Sequence, residues 1–459
     1  MTKGHTFHPS ILREYDIRGI VGETLFKEDA VAIGRAFGSL IASEGGSRVC
    51  VGYDGRQSSP DMEAGLVEGL TSTGIDVDRV GLGPSPMLYF ATSETNADAG
   101  IMVTGSHNPP NHNGFKMMHG RKPFYGEAIK DLGRRASEAV FMDGTGSVAD
   151  RPAFERYVSR VLADFDGEKE LSAVWDPGNG AAGDVVTAAV KALPGRHRVI
   201  NGTIDGTFPN HHPDPTVPKN LEQLIAAVLE DEADVGFAFD GDGDRIGVVD
   251  GKGRILWGDQ ILVILGEDVL AQRPGAPIIA DVKASQVLFD EIARLGGQPV
   301  MAKTGHSLIK AKMNELDAPL AGEMSGHIFF ADKYYGFDDA LYAAIRFLSI
   351  ICRQDESLAT RFDRIPKAMN TPELRFECPD DRKFDVIEEV KARLVTSSSD
   401  VNDVDGVRVT NSDGWWLLRA SNTQAVLVAR CEAMSEEALD RLKGELSEQL
   451  AASGVSLSL

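Results

Sequence analysis

The sequence predicts an α/β protein: three similar α/β domains followed by a smaller C-terminal α+β domain. Three observations point there. The chain has 459 residues, more than one hydrophobic core usually serves. One pattern recurs along most of it: a short apolar run, a Gly/Asp/Ser/Asn loop, then helical periodicity. The tail breaks that pattern, with successive strand-like runs followed by a long amphipathic helix.

The pattern first occurs at Arg48–Arg56, where Ser59-Pro60 opens a helix carrying Leu66, Val67 and Leu70 on one face. It recurs at Gly100–Ser106, Ala173–Gly180, Gly236–Gly241, Ile278–Ser285 and Gly322–His327. Continuous apolar runs between helices indicate mostly parallel sheets, whose ligands sit outside the carboxyl ends of the strands. Each polar cluster falls at such an end. In the tail, Val407–Thr410, Trp415–Leu418 and Ala425–Arg430 read as strands. Ser435 then caps a helix with Leu439, Leu442, Leu446 and Leu450 on one face. Composition breaks place the domains at 1–151, 152–254, 255–366 and 367–459.

The 47 basic and 69 acidic residues leave a formal charge of −22, which argues against nucleic acid or an anionic membrane as partner. It leaves room for an anionic substrate, because a few cations converging in a cleft reverse the local field. Cys50, Cys352, Cys378 and Cys431 are too far apart for a zinc pattern or a disulfide framework and read as reduced core thiols. The N-terminus has no apolar signal-peptide core, and the run Ile261–Leu265 is too short to span a bilayer. A soluble cytoplasmic protein is expected.

Asp240-Gly241-Asp242-Gly243-Asp244-Arg245 is the most specific local signal, flanked by the strand-like runs Val235–Phe239 and Ile246–Val249. Three carboxylates within five residues repel one another unless a cation sits among them, and the glycines allow a tight fold around it. An EF-hand is excluded, since its sixth position would be Arg245 and its twelfth Gly251. All-oxygen ligands from a short loop suit Mg²⁺ with a position left for a phosphate oxygen. Arg245 adds a phosphate-compatible fork. An acidic hairpin turn with solvated aspartates is the plainer alternative.

In Thr104-Gly105-Ser106-His107-Asn108-Pro109, Ser106 ends a strand, where a hydroxyl serves equally as turn residue or nucleophile. The distant aspartate cluster and nearby Lys116 tip the reading toward a nucleophile, because phosphoryl transfer needs positioning and charge neutralisation. His107 orients rather than reacts. Glu323, Ser325 and His327 pair an acceptor with donors, as polyol recognition requires. Arg419-Ala420-Ser421-Asn422-Thr423 lies between two strands and has the composition of a phosphate nest. Arg18, Lys283 and His306 taken singly read as ordinary charges or rings, and Tyr15-Asp16-Ile17-Arg18-Gly19 is unusually rich in functional groups.

Together, in order and spacing, these motifs resemble the α-D-phosphohexomutase superfamily, and within it the bacterial phosphomannomutase/phosphoglucomutase group. The resemblance covers nearly the whole chain. It implies three mixed-sheet α/β domains and a C-terminal α+β domain around a central cleft, each giving one loop. It implies that Ser106 carries the transferable phosphoryl group and that Asp240, Asp242 and Asp244 hold Mg²⁺ with an oxygen of the phosphoserine. Glu323 and Ser325 would grip sugar hydroxyls, and Arg419, Ser421, Asn422 and Thr423 the non-reacting phosphate. Arg18, Lys116, His306 and His327 would surround the reacting oxygens, with Lys283, Arg245 and Tyr15 elsewhere in the cleft.

The implied reaction interconverts hexose 1-phosphate and hexose 6-phosphate through a phosphoserine and a hexose 1,6-bisphosphate, in a monomer or weak homodimer. The general base would be Lys116 or His306, with Lys116 preferred if its pKa is lowered. The alternatives are a phosphoglucosamine mutase, a metal-dependent phosphatase and a non-catalytic sugar-phosphate-binding protein. Met324 and Gly105 lean toward the mannose/glucose group.

Overall fold

The chain is described here by a computed structural model covering residues 3–394, 400–422 and 424–455. It forms four sheets. The first runs in the order Ile17–Ile20, His112–His119, Ala99–Val103, Arg48–Tyr53, Asp76–Leu82, Val148–Asp150, with Lys122–Phe124 beside His112–His119. The second runs Ile255–Leu256, Ile246–Asp250, Val235–Phe239, Leu171–Asp176, Gly195–Val199, and the third Gln298–Ala302, Pro277–Asp281, Leu320–Gly322, Ile328–Phe330. The strand Ile255–Leu256 pairs with Ile246–Asp250, so the second sheet extends past the expected break after residue 254.

These three sheets are mixed, as the family resemblance implied, rather than mostly parallel. Arg48–Tyr53 and Ala99–Val103 are parallel, but His112–His119 returns antiparallel to Ala99–Val103. Likewise Ile246–Asp250 returns along Val235–Phe239, and Ile328–Phe330 along Leu320–Gly322. The loops after Gly100–Val103, Gly236–Phe239 and Gly322 therefore lead into strands, not helices. The following runs are too short or too alternating for a helical stripe. Their backbone groups find partners on the preceding strand, which satisfies them without a helix.

The fourth sheet is antiparallel throughout its described pairings, with Gly414–Ala420 between Val407–Asn411 and Val426–Ala433. The helices Lys383–Leu394 and Glu436–Ala452 supply its core. Ser435 Oγ accepts from Ala438 N–H as the expected cap, and Leu442, Leu446 and Leu450 are fully buried. Leu439 sits half-buried at the margin of that core.

One helix ties the second and third sheets together. Ala340–Cys352 is buried along its whole length and packs on the helices Phe154–Leu162 and Gly258–Gln272. Asp339 caps it, accepting from Tyr342 N–H at 2.9 Å, Tyr157 OH at 2.9 Å and Tyr334 OH at 2.7 Å. The fourth sheet has its own main core and meets the third domain through Val282, which packs with Trp415 and Leu417, and through Arg408, whose guanidinium lies 3.7 Å from the Trp415 ring centroid of its own sheet. Arg408 also donates to the carbonyls of Val282 and Ala284. The four cysteines are free and buried. No described helix is long and apolar enough to cross a membrane.

Candidate active site

Each of the four domains contributes one hairpin connection, and three of them meet directly. Ser106 leaves the strand Ala99–Val103 in a left-handed conformation, φ +48°, and is buried. Its Oγ lies 3.0 Å from Asp240 Oδ2, to which it donates, and 3.1 Å from His107 Nδ1. Burial, reinforced by the charges of Arg245, Arg18 and Lys116, holds the His107 ring well below the usual histidine range, so it is neutral. The approach of the two loops depends on Gly241, where a Cβ would lie 2.2 Å from the Ser106 carbonyl oxygen.

Asp240, Asp242 and Asp244 are fully buried, and each offers an oxygen within 4.8 Å of the others. Burial and its two neighbours push the Asp240 carboxyl well up. Asp242 Oδ1 has no hydrogen-bond partner, while its Oδ2 accepts from Ser85 Oγ at 2.5 Å and Lys116 Nζ at 2.7 Å. A crowded triad of hard oxygen donors, with Asp242 Oδ1 and Asp244 Oδ1 both lacking a hydrogen-bond partner, fits a divalent cation such as Mg²⁺.

Lys116 comes from the return strand His112–His119 and pairs with both Asp242 and Asp244. Burial alone would lower its pKa, but these carboxylates raise it well above the usual lysine value. The expected lowered value is thus corrected: Lys116 is held as an ammonium. His306 differs, because burial outweighs its contact with Asp338, 3.5 Å away, and lowers its pKa.

The third hairpin brings Glu323, Ser325 and His327. His327 Nδ1 lies 2.9 Å from Glu323 Oε2 and 3.0 Å from Ser325 Oγ, and its Nε2 lies 3.3 Å from Asp244 Oδ1. Burial disfavours the charged ring, yet Asp244 and Glu323 bring its pKa up to about 9. Arg245 Nε also lies 3.3 Å from Nε2, but a protonated ring directs that N–H to Asp244. Glu323 is brought down to about 2 despite its burial, by His327 and by Gly305 N–H at 2.7 Å.

Arg18 is buried against the serine loop, donating to Gly105 O and Asn108 Oδ1 at 2.9 Å each and to Asp16 at 2.5 Å. The fourth loop lies further out. Arg419 Nε donates to Asp405 Oδ2 at 2.9 Å, and Asn422 Nδ2 donates to Tyr15 OH at 2.7 Å. Tyr15 OH in turn donates to Thr304 O at 2.9 Å, and burial pushes it up to about 12. Lys283 Nζ lies 3.7 Å from Asp281 and 3.4 Å from Glu373. Ser421 Oγ accepts from Gln424 N–H. Thr423 lies outside the described residues. A cavity of about 320 Å³ lies against Tyr15, Lys116, His306 and Lys310.

Several residues here were not singled out by sequence reasoning. Ser85, Asp405 and Arg56 brace predicted site residues directly, Asp338 lies 3.5 Å from His306 and is itself held by Lys310, and Asp54 holds Arg56. Asp54 and Arg56 stood at a strand end in the recurring pattern, a signal that could have marked them. Asp405 offered none, because its partner Arg419 is identified only by the hairpin.

Family models for phosphoglucomutase/phosphomannomutase α/β/α domains I, II and III match residues 9–136, 155–253 and 257–369. The model for that family's C-terminal domain matches 373–449. The chain is 44% identical over 455 residues to a phosphomannomutase/phosphoglucomutase of Pseudomonas aeruginosa, covering 99% of this chain and 98% of that one. It is 41% identical over 437 residues to a phosphoglucomutase of Neisseria gonorrhoeae, covering 94% and 95%. A crystal structure of a phosphoglucomutase/phosphomannomutase family protein from Burkholderia thailandensis superposes with a TM-score of 0.94 at 42% identity, covering 98% and 100%.

Proposed function

The chain belongs to the phosphoglucomutase/phosphomannomutase family, and from that premise we propose that it interconverts the 1- and 6-phosphates of mannose and glucose through a phosphorylated Ser106. It is a phosphohexomutase. The observation that carries the proposal is Ser106 Oγ, 3.0 Å from Asp240 within a buried aspartate triad.

In the first half-reaction the bond between phosphorus and Ser106 Oγ breaks while a bond forms to the free hydroxyl of the hexose phosphate. The hydroxyl proton passes to a base, and the product is a hexose 1,6-bisphosphate. In the second half the other phosphoryl group moves to Ser106, and the proton returns to the oxygen it leaves. Asp240, Asp242, Asp244 and the Ser106 oxygen would hold Mg²⁺, which when bound neutralises charge on the transferring group.

Within the chain's own machinery, Lys116, Arg18, Arg245 and His327 surround that group with positive charge. Lys116 is a charge stabiliser in this reading, and the neutral His306 is the base. Glu323 and Ser325 take sugar hydroxyls, Arg419, Ser421, Asn422 and Thr423 the distal phosphate, and Lys283 and Tyr15 line its approach. The division 1–151, 152–254, 255–366 and 367–459 assigns one such loop to each domain.

A substrate panel tests the reading. With Mg²⁺ and a trace of hexose 1,6-bisphosphate, mannose and glucose 1-phosphates are expected to convert to 6-phosphates. Conversion of glucosamine phosphate alone would favour a phosphoglucosamine mutase, and release of inorganic phosphate alone a phosphatase.

A further inference from the structure

We propose that Arg56 is a positioning residue for the reaction, fixing the Ser106 loop so that its hydroxyl faces the aspartate triad. The inference rests on the reading of Ser106 as phosphoryl carrier. Arg56 lies on the far side of that loop from the reacting oxygen, and its side chain is fully shielded from solvent.

One guanidinium gathers the carbonyls of the whole loop. Nη2 donates to Ser106 O at 2.7 Å and Asn108 O at 2.6 Å, and Nη1 to Pro109 O at 2.5 Å and His112 O at 3.0 Å. Nε donates to Asp54 Oδ2 at 3.2 Å. That same oxygen accepts from Thr104 Oγ1 at 2.8 Å and Gly105 N–H at 3.0 Å. Both limbs of the loop therefore hang on one ion pair, and a planar five-donor fork is the side chain suited to it.

Two features show why such a brace is needed. Ser106 has φ +48°, a conformation that an L-residue holds only when its surroundings enforce it. The neighbouring Gly105 presses on the brace itself, since a Cβ there would lie 2.3 Å from Arg56 Nε.

The second domain holds Arg56 from behind. The Phe208 ring lies 5.2 Å from its guanidinium carbon, and a Cβ on Gly206 would lie 2.4 Å from Arg56 Cα. The same stretch of the second domain reaches the metal loop, where Pro213 lies beside Gly241. Gly241 in turn abuts the Ser106 carbonyl that Arg56 holds. Arg56 thus sets the distance between the serine and the aspartates, which are contributed by different domains.

The test uses Arg56→Lys and Arg56→Gln in the full chain, phosphorylated at Ser106 as checked by intact mass. Single-turnover transfer to glucose 1-phosphate is measured beside equilibrium binding of glucose 1-phosphate and thermal midpoint. Transfer is expected to slow about 100-fold, the usual scale for a displacement of about 1 Å. Binding should stay within about twofold, because Glu323, Ser325 and the Arg419 loop, which take the sugar hydroxyls and the distal phosphate, lie in other domains. Arg56→Lys keeps the charge and the packing but not the fork, so it decides the matter if Arg56→Gln does not fold. Transfer within about threefold of the parent in either folded variant would overturn the inference. So would a parallel loss of binding and transfer, which marks plain destabilisation. Retained mutase activity in Ser106→Ala would instead defeat the assignment of Ser106 itself.

Discussion

The loops of the first three domains that carry Ser106, the aspartate triad and Glu323–His327 are bound to one another, whereas the loop of the fourth that carries Arg419 and Asn422 is bound to them lightly. Lys116 joins the first hairpin to the second, His327 joins the second to the third, and every one of these groups is buried. The three domains also share a core around the helix Ala340–Cys352. The fourth domain has its own main core, joined to the third by the small cluster of Val282, Trp415 and Leu417, and its Arg419–Asn422 loop touches the others through Asn422 and Tyr15. The difference suits the chemistry. Phosphoryl transfer needs charges held in place before the substrate arrives. A loop proposed to take the distal phosphate in two opposite sugar orientations would gain from being able to move.

Perturbing the rigid side should give the largest effect. Asp242→Asn removes a triad oxygen and a partner of Lys116. It is expected to lower kcat by about 100- to 1000-fold with Mg²⁺ present, the scale for losing one preorganised electrostatic group. Chelation of divalent cations in the parent enzyme should abolish turnover reversibly. Steady-state rates check both, and near-normal turnover after chelation would remove the metal from the account.

On the loose side a different signature is expected. Arg419→Ala should raise KM for hexose phosphates about tenfold or more, the scale of one charge-assisted hydrogen bond, with a smaller change in kcat. A pure kcat effect would mean that the fourth loop is part of the rigid centre after all.

The smallest effect concerns the shared core. Burial pushes Asp339 up to about 7, against hydrogen bonds from Tyr342, Tyr334 and Tyr157 that pull it down. The folded value lies above the ordinary carboxyl value of 3.8, so the folded state binds the extra proton between them. Its contribution to stability is complete below about pH 3.8 and is lost as pH rises through about 7. Asp339→Asn should flatten that slope, a change of a few degrees in thermal midpoint between pH 5 and pH 8, roughly what 1–2 kcal/mol produces. An unchanged slope would assign the pH dependence elsewhere.

Much of this was legible in the chain. The aspartate loop declared itself because three carboxylates among glycines have few other uses, and the helix at Ser435 because its cap and stripe are local. The hairpin character of the loops was harder to read. A strand of three residues such as Ile328–Phe330 carries no periodicity, and only its partner Leu320–Gly322 identifies it. The helix Ala340–Cys352 was missed for the opposite reason, since a helix buried on all sides has no polar face to set its stripe apart. The state of Lys116 depends on Asp242 and Asp244, more than a hundred residues away, and no local reading weighs that pairing against burial.

The central claim is that Ser106 carries the phosphoryl group. Intact mass of the protein incubated with glucose 1,6-bisphosphate should show one added phosphate, absent from Ser106→Ala, and that variant should show no 1-phosphate to 6-phosphate conversion. A folded Ser106→Ala enzyme that interconverts the two hexose phosphates at the parent rate would contradict the account.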